Sequence, residues 1–170
     1  DDYIAFAHQR LSIIDLSEAA NQPFHKHDLV TVFNGEIYNY AEIKKELEEK
    51  GHQFNSHSDS EVILHAYNEW GAAALQKFIG MFTFVIYDEA EQKIFACRDR
   101  AGVKPFFYYF KNGLFLFGSE LKALIQHPSF EKQINTDAVA AFLQYSYVPT
   151  PHCIFNDTHK LKPGHYLIVD

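Results

Sequence analysis

Between residues 81 and 117 the chain carries four runs so rich in aliphatic and aromatic side chains that water cannot be their main neighbour. They are 81–87 (MFTFVIY), 93–97 (KIFAC), 105–110 (PFFYYF) and 114–117 (LFLF), and turn residues separate each from the next. Asp88-Glu89, the stretch from Asp99 to Gly102, and Asn112-Gly113 do the separating. An Asn-Gly pair between two aromatic runs is the strongest short signal for a hairpin. Runs that are apolar throughout predict strands covered on both faces. The 16 Phe and 10 Tyr of the whole chain, against one Trp, belong with such strands, because aromatic side chains fit a pleated surface. Whatever this chain folds into has an antiparallel sheet at its centre.

Helices must cover that sheet. Residues 40–50 carry Tyr40, Ile43 and Leu47 at helical spacing, with Asn39 as N-cap, Glu42 three residues on as in a capping box, and Gly51 beyond the last turn. A second helix starts at Ser58, with Glu61 again three residues later, and residues 72–78 suggest a short third one. Residues 120–126 and 136–145 also read as helical. The earlier strands are 3–7 and 29–33 (LVTVF), the second ended by an Asn34-Gly35 turn. Residues 15–23 are turn-rich, 149–163 read as loop, and 165–169 as a last strand. Strands and helices come in blocks without βαβ alternation, which predicts an α+β fold in one domain spanning 1–170.

Charge and cysteine usage narrow the function classes. The net charge of −7 and the lack of a Lys/Arg stripe argue against a nucleic-acid partner. No run approaches the roughly 20 apolar residues that cross a bilayer, so no membrane partner is expected. Cys97 and Cys153 lie far apart and form no metal-ligand spacing, which points to a reducing, cytoplasmic setting without disulfides. The ten histidines include His25-Lys26-His27, a His-x-His in a polar loop that lacks a third ligand at useful spacing. No metal is assigned.

Three polar segments carry candidate chemistry. In HQRLSIID (8–15), Arg10 sits in an apolar run; a buried guanidinium usually pairs with a carboxylate of its own chain, but its planar fork equally suits a substrate carboxylate. In FNGEIYN (33–39), a strand-ending turn and a capped helix explain every residue except the acid Glu36. The same Asn34 amide and Gly35 N–H could serve an oxyanion. In SDSE (58–61), helix capping accounts for Ser58 and Glu61, and Asp59 is either a first-turn acid favoured by the helix dipole or the acceptor of a substrate ammonium. Together they supply what a free α-amino acid with a reacting side-chain carbonyl requires.

In this order, HQRLSIIDLS, NGEIYNY, SDSEVILHAY, GMFTFVIYD and RDRAGVKPFFYY resemble class II glutamine amidotransferase domains, nearest to those of glutamine-hydrolysing asparagine synthetases. GSELKALIQHP and LKPGHYLIVD extend the similarity over essentially the whole chain. The resemblance implies the four-layer αββα sandwich of N-terminal-nucleophile hydrolases and a glutaminase that feeds ammonia to a C-terminal synthetase domain. It implies L-glutamine as substrate, Arg10 on its α-carboxylate, and Leu11, Ser12, Ile13 and Ile14 along the pocket. Asn34 and Gly35 would form the oxyanion hole; Glu36 and Asp59 would hold the α-amino group and neighbouring polar atoms. Arg98 and Asp99 are expected to pair, with Lys104-Pro105 shaping a turn. This domain needs no cofactor; ATP and Mg²⁺ belong to the synthetase domain, whose Ser-Gly-Gly-type phosphate loop is absent from the sequence.

One element departs from the pattern. The family's nucleophile is an N-terminal cysteine, and neither Cys97, expected as a buried thiol, nor Cys153 can take that place. The expectation is therefore a domain that begins inside its natural boundary and does not hydrolyse glutamine by itself. Losing a first strand would expose a sheet edge and invite association; a homodimer is left open. The alternatives are a non-catalytic amino-acid-binding or interaction domain, and a class II domain serving another ammonia acceptor.

Overall fold

In the computed structural model, residues 4–9 and 21–170 are described, and they form two compact units, 1–97 with 167–170, and 98–166. Arg10, Leu11, Ser12, Ile13 and Ile14 lie outside the described residues, as does most of the turn-rich stretch 15–23.

The first unit is a five-stranded sheet in the order β1-β2-β3-β4-β8, with two helices. The strands are β1 (Phe24–Lys26), β2 (Leu29–Ile37), β3 (Gly80–Asp88), β4 (Lys93–Arg98) and β8 (Tyr166–Val169). β2 and β3 pair antiparallel over nine residues, from Leu29 opposite Asp88 to Ile37 opposite Gly80. The central apolar run is indeed covered on both faces, since every residue from Phe82 to Tyr87 is buried. Helix α1 (Tyr40–Glu49) buries Ile43 and Leu47. Helix α2 (Asp59–Trp70) is buried all round for its first eight residues, Asp59 to Ala66. A 3-10 turn (Gly71–Gln76) returns the chain to β3. Phe78, Phe82, Phe84 and Phe95 stack through the core, with ring centroids 5.8–6.2 Å apart, and a stacked or edge-on pair contributes about 0.5–1.5 kcal/mol beyond its buried area.

The second unit holds a three-stranded sheet in the order β6-β5-β7, made of β5 (Phe107–Lys111), β6 (Leu114–Gly118) and β7 (Thr158–Lys160). The predicted hairpin is present: Lys111 pairs with Leu114 across Asn112 and Gly113, both at positive φ (51° and 79°), as a tight primed turn demands. Helices α3 (Leu121–Leu124) and α4 (Thr136–Tyr145) complete it, α4 capped by the Asn135 side chain, which accepts from the Asp137 and Ala138 N–H groups.

Several local expectations fail for physical reasons. Residues 4–9 form no strand. Asn34-Gly35 does not end β2; the strand runs straight through to Ile37. Gly35 spends its freedom on closeness, not on reversal: at φ 144° a Cβ there would stand 2.1 Å from the Met81 carbonyl oxygen. Asn39 does not cap α1 with its side chain. Its amide instead donates to the Lys77 carbonyl (2.9 Å) and accepts from the Ile79 N–H (2.9 Å), pinning the β2–α1 corner to the entry of β3. The 149–163 loop contains the short β7.

Candidate active site

β2 is buried from Leu29 to Phe33, and its next three residues, Asn34, Gly35 and Glu36, are half-buried. The strand thus carries the expected polar segment from the core to where a solute can reach it. Residues in a strand alternate between faces, so Asn34 and Glu36 share one and Gly35 takes the other. The register sets Asn34 opposite Thr83, Gly35 opposite Phe82 and Glu36 opposite Met81. Gly80 mirrors Gly35, because a Cβ on it would lie 2.1 Å from the Glu36 carbonyl oxygen. Two glycines therefore bracket Glu36 and let the two backbones close on each other there.

Asp59 meets this strand end from α2. Ser58 caps the helix as expected, its hydroxyl accepting from the Ser60 N–H (3.2 Å). That fixes Asp59 as the first helical residue, and its Oδ2 accepts from the Ile37 N–H (3.3 Å). Burial pushes the Asp59 carboxyl from its ordinary 3.8 up to about 6. The N–H groups of Ile37, Asp59 and Ser60 hold it down, and the charge of Glu36 adds to the rise. A carboxyl in that position gains when a cation arrives. The structure thus brings Glu36 and Asp59 together across β2 and α2, with Asn34 and Gly35 contiguous to them along the strand.

Next to Asp59 in α2 begins a polar network of which the sequence singles out only Glu61, as part of a capping box. Glu61 does not reach back to close a capping box. Its carboxylate is fully buried and accepts from the Asn55 N–H (3.0 Å), the Ser56 N–H (2.7 Å) and the Ser56 hydroxyl (2.7 Å), with Lys26 Nζ at 3.2 Å. Burial alone would raise its pKa, but these donors bring it below the ordinary carboxylate range. His65, one turn on, has Nδ1 2.8 Å from His52 Nδ1, and His52 Nε2 is 3.0 Å from Glu69. Burial lowers the His65 pKa to about 4, with Lys26 and His52 adding to the fall, so the ring is neutral at pH 7. The usable clue was compositional: an acid and a histidine four apart inside the run EVILHAY have no wet face to occupy.

Cys97 and Cys153 are both buried, and neither is in a disulfide. A cavity of about 320 Å³ is lined by Lys26, His52, Asn55, His65 and Asn68 among others, and none of Asn34, Gly35, Glu36 or Asp59 borders it. Among the described residues no cluster of three His, Cys, Asp or Glu could hold a metal ion, and no helix is long and apolar enough to cross a membrane.

The expected Arg98–Asp99 pair takes another form. The three guanidinium nitrogens of Arg98 donate to the carbonyls of Lys104, Leu161 and Gly102, each at 2.7 Å. Asp99 accepts from the N–H groups of Ala101 (3.1 Å), Val103 (2.9 Å) and Lys104 (3.0 Å). Adjacent in sequence and opposite in charge, the two divide the polar backbone of the 99–104 loop between them, and Arg98 also ties it to Leu161. The structural role expected for this motif is what the geometry gives.

Comparison with known proteins agrees with these observations. The family model for a glutamine amidotransferase domain matches residues 1–170. Asparagine synthetase [glutamine-hydrolyzing] 3 of Bacillus subtilis (strain 168) is 38% identical over 172 residues, covering 98% of this chain and 28% of that protein. Putative asparagine synthetase [glutamine-hydrolyzing] 2 of Methanocaldococcus jannaschii is 38% identical over 185 residues, covering 98% of this chain and 35% of its own length. The chain thus spans about a third or less of the curated relatives it matches. Among solved structures, the glutamine phosphoribosylpyrophosphate amidotransferase from B. subtilis, complexed with ADP and GMP, aligns with a TM-score of 0.59 at 23% identity, over 69% of this chain and 28% of that one. An allosteric regulatory enzyme of purine biosynthesis aligns at 0.55 and 20% identity, over 84% and 26%. These likenesses show the fold alone, an α+β architecture as expected from the sequence.

Proposed function

Since the chain belongs to the glutamine amidotransferase domain family, we propose that it is the glutamine-hydrolysing part of a longer asparagine-synthetase-type enzyme, releasing ammonia from L-glutamine for ATP-dependent amide formation elsewhere in that polypeptide. The observation that best supports this reading is the junction of β2 and α2. There a carboxyl raised to about 6 stands beside Glu36, at the point where Asn34 and Gly35 leave the core.

The chemistry follows from those parts. A glutamine α-ammonium at Asp59 and Glu36 gives both acids a positive partner, and Arg10 takes the α-carboxylate through two parallel hydrogen bonds. The side-chain amide then lies towards Asn34 and Gly35, whose N–H donors meet the oxygen on which charge develops during attack. The nucleophile in this reading is an N-terminal cysteine whose own amine takes the thiol proton. Attack forms the carbon–sulfur bond, collapse breaks the carbon–nitrogen bond with proton transfer to the leaving ammonia, and water hydrolyses the thioester to glutamate. Cys97 and Cys153, both buried, take no part. ATP and Mg²⁺ serve the synthetase part.

Ammonia release from L-glutamine by the full-length polypeptide tests this. Asn34→Ala is expected to lower kcat about 10²- to 10³-fold, the usual cost of one oxyanion donor, and Arg10→Ala to raise KM for glutamine. Glutamine binding without turnover, in a folded protein with its N-terminal cysteine intact, would instead mark a binding domain that has left catalysis behind.

A further inference from the structure

Glu61 is fully buried, and the side chain that caps α2 is that of Ser58, not Glu61. Its hydrogen bonds run to the segment leading into α2, and they form an unbroken relay. Glu61 Oε2 accepts from the Ser56 hydroxyl (2.7 Å), which fixes that rotor. The Ser56 Oγ in turn accepts from the Ser58 N–H (3.2 Å). The Ser58 Oγ accepts from the Ser60 N–H (3.2 Å), and Asp59 stands between those last two residues. On the same carboxylate, Oε1 takes Lys26 Nζ (3.2 Å), which also donates to the Gln53 carbonyl (3.3 Å), so the segment is tied at both ends.

Burying a carboxylate costs several kcal/mol unless it is well paired, and a plain helix start would be served by Ser58 alone. What the added network fixes is the approach angle of the first turn of α2, and with it the place of the Asp59 carboxyl against the Ile37 N–H. We infer that Glu61 is a positioning residue for recognition of the substrate α-ammonium, holding Asp59 in place through Ser56 and Ser58 without touching substrate. This rests on the proposed role of Asp59.

Glutamine hydrolysis by the full-length polypeptide, with KM and kcat resolved, is the test. Asp59→Asn, Ser56→Ala, Ser56→Thr, Glu61→Gln and the double variant Asp59→Asn with Ser56→Ala are compared. Ser56→Ala and Glu61→Gln are expected to raise KM about tenfold, the equivalent of one hydrogen bond to a charged group, with kcat nearly unchanged. Ser56→Thr, which keeps the hydroxyl, should restore the KM. In the Asp59→Asn background Ser56→Ala should add nothing, because the group it positions has already gone. The inference is overturned if Asp59→Asn raises KM while Ser56→Ala and Glu61→Gln leave it alone, or if Ser56→Ala acts equally in both backgrounds. An Asp59→Asn protein with unchanged KM removes the underlying role of Asp59 itself. Should Glu61→Gln fail to fold, Ser56→Ala, which keeps the carboxylate and its other donors, decides alone.

Discussion

The two units of this chain each bury an aspartate, and the two are treated in opposite ways. Asp99, in the second unit, receives three backbone N–H groups of its own loop, while Arg98 beside it takes up three of the neighbouring carbonyls. Charge and backbone satisfy each other there, within the loop and through the Leu161 carbonyl. Asp59, in the first unit, also has N–H donors, but they do not match the cost of its burial, and Glu36 adds a like charge. Both sites are buried and both are polar. The difference is that one is closed on itself, whereas no cation offsets the burial of the other among the described residues. A buried acid points to substrate binding by what its surroundings fail to supply, more than by being buried.

That contrast makes predictions of decreasing size. Asp99→Ala orphans three N–H groups and removes the charge beside Arg98. It is expected to cost about 3 kcal/mol or more, since each buried donor left unsatisfied costs about 1–3 kcal/mol, read as a lower urea midpoint. A loss under about 1 kcal/mol would erase the distinction between the two sites. Asp59→Asn should do the reverse. Its folded value lies above its ordinary one, so its stabilising contribution is complete below about pH 4 and is lost as pH rises through about 6. From 3.8 to about 6, at about 1.4 kcal/mol per pH unit, the neutral amide gains up to about 3 kcal/mol at pH 7 if it packs as the acid does. Unfolding at pH 7 and at pH 4 checks the sign; a variant less stable than wild type at pH 7 would mean Asp59 is already satisfied.

The smallest effect is a change of slope. The folded pKa of His65, about 4, lies below its ordinary 6.5, so its contribution is present above pH 6.5 and lost as pH falls through about 4. It opposes Asp59 over the same window. The stability curve of Asp59→Asn should therefore rise more steeply with pH between 4 and 6.5 than that of the wild type. A curve of equal slope in both proteins would show that Asp59 does not titrate as its surroundings require.

What was legible in the sequence, and what was not, follows the range of the interactions. The 107–118 hairpin could be read because its turn carries its own φ requirement, met by Asn112 and Gly113 themselves. α2 could be read because Ser58 caps it locally. The residues Asn34, Gly35, Glu36 and Asp59 could be picked out as polar exceptions, whereas the meeting of Glu36 with Asp59 depends on β2 lying under α2. The same Asn-Gly that marks a turn at 112–113 is strand at 34–35, because Gly35 answers to a carbonyl 46 residues away. Glu61 satisfied the spacing of a capping box while its carboxylate went elsewhere, since spacing alone does not say which donors a buried acid will find.

The two glycines of the β2–β3 ladder, Gly35 and Gly80, also limit how this stretch of sequence can drift. When a core residue grows, a neighbour can often shrink to make room. At Gly35 and Gly80 the obstructing atoms are the carbonyl oxygens of Met81 and Glu36, which every amino acid possesses. No exchange of side chains on the opposite strand can clear them. A lineage that loses either glycine has only two ways back: reversion, or an insertion or deletion that moves the whole ladder by a residue and carries Asn34 and Glu36 to the other face.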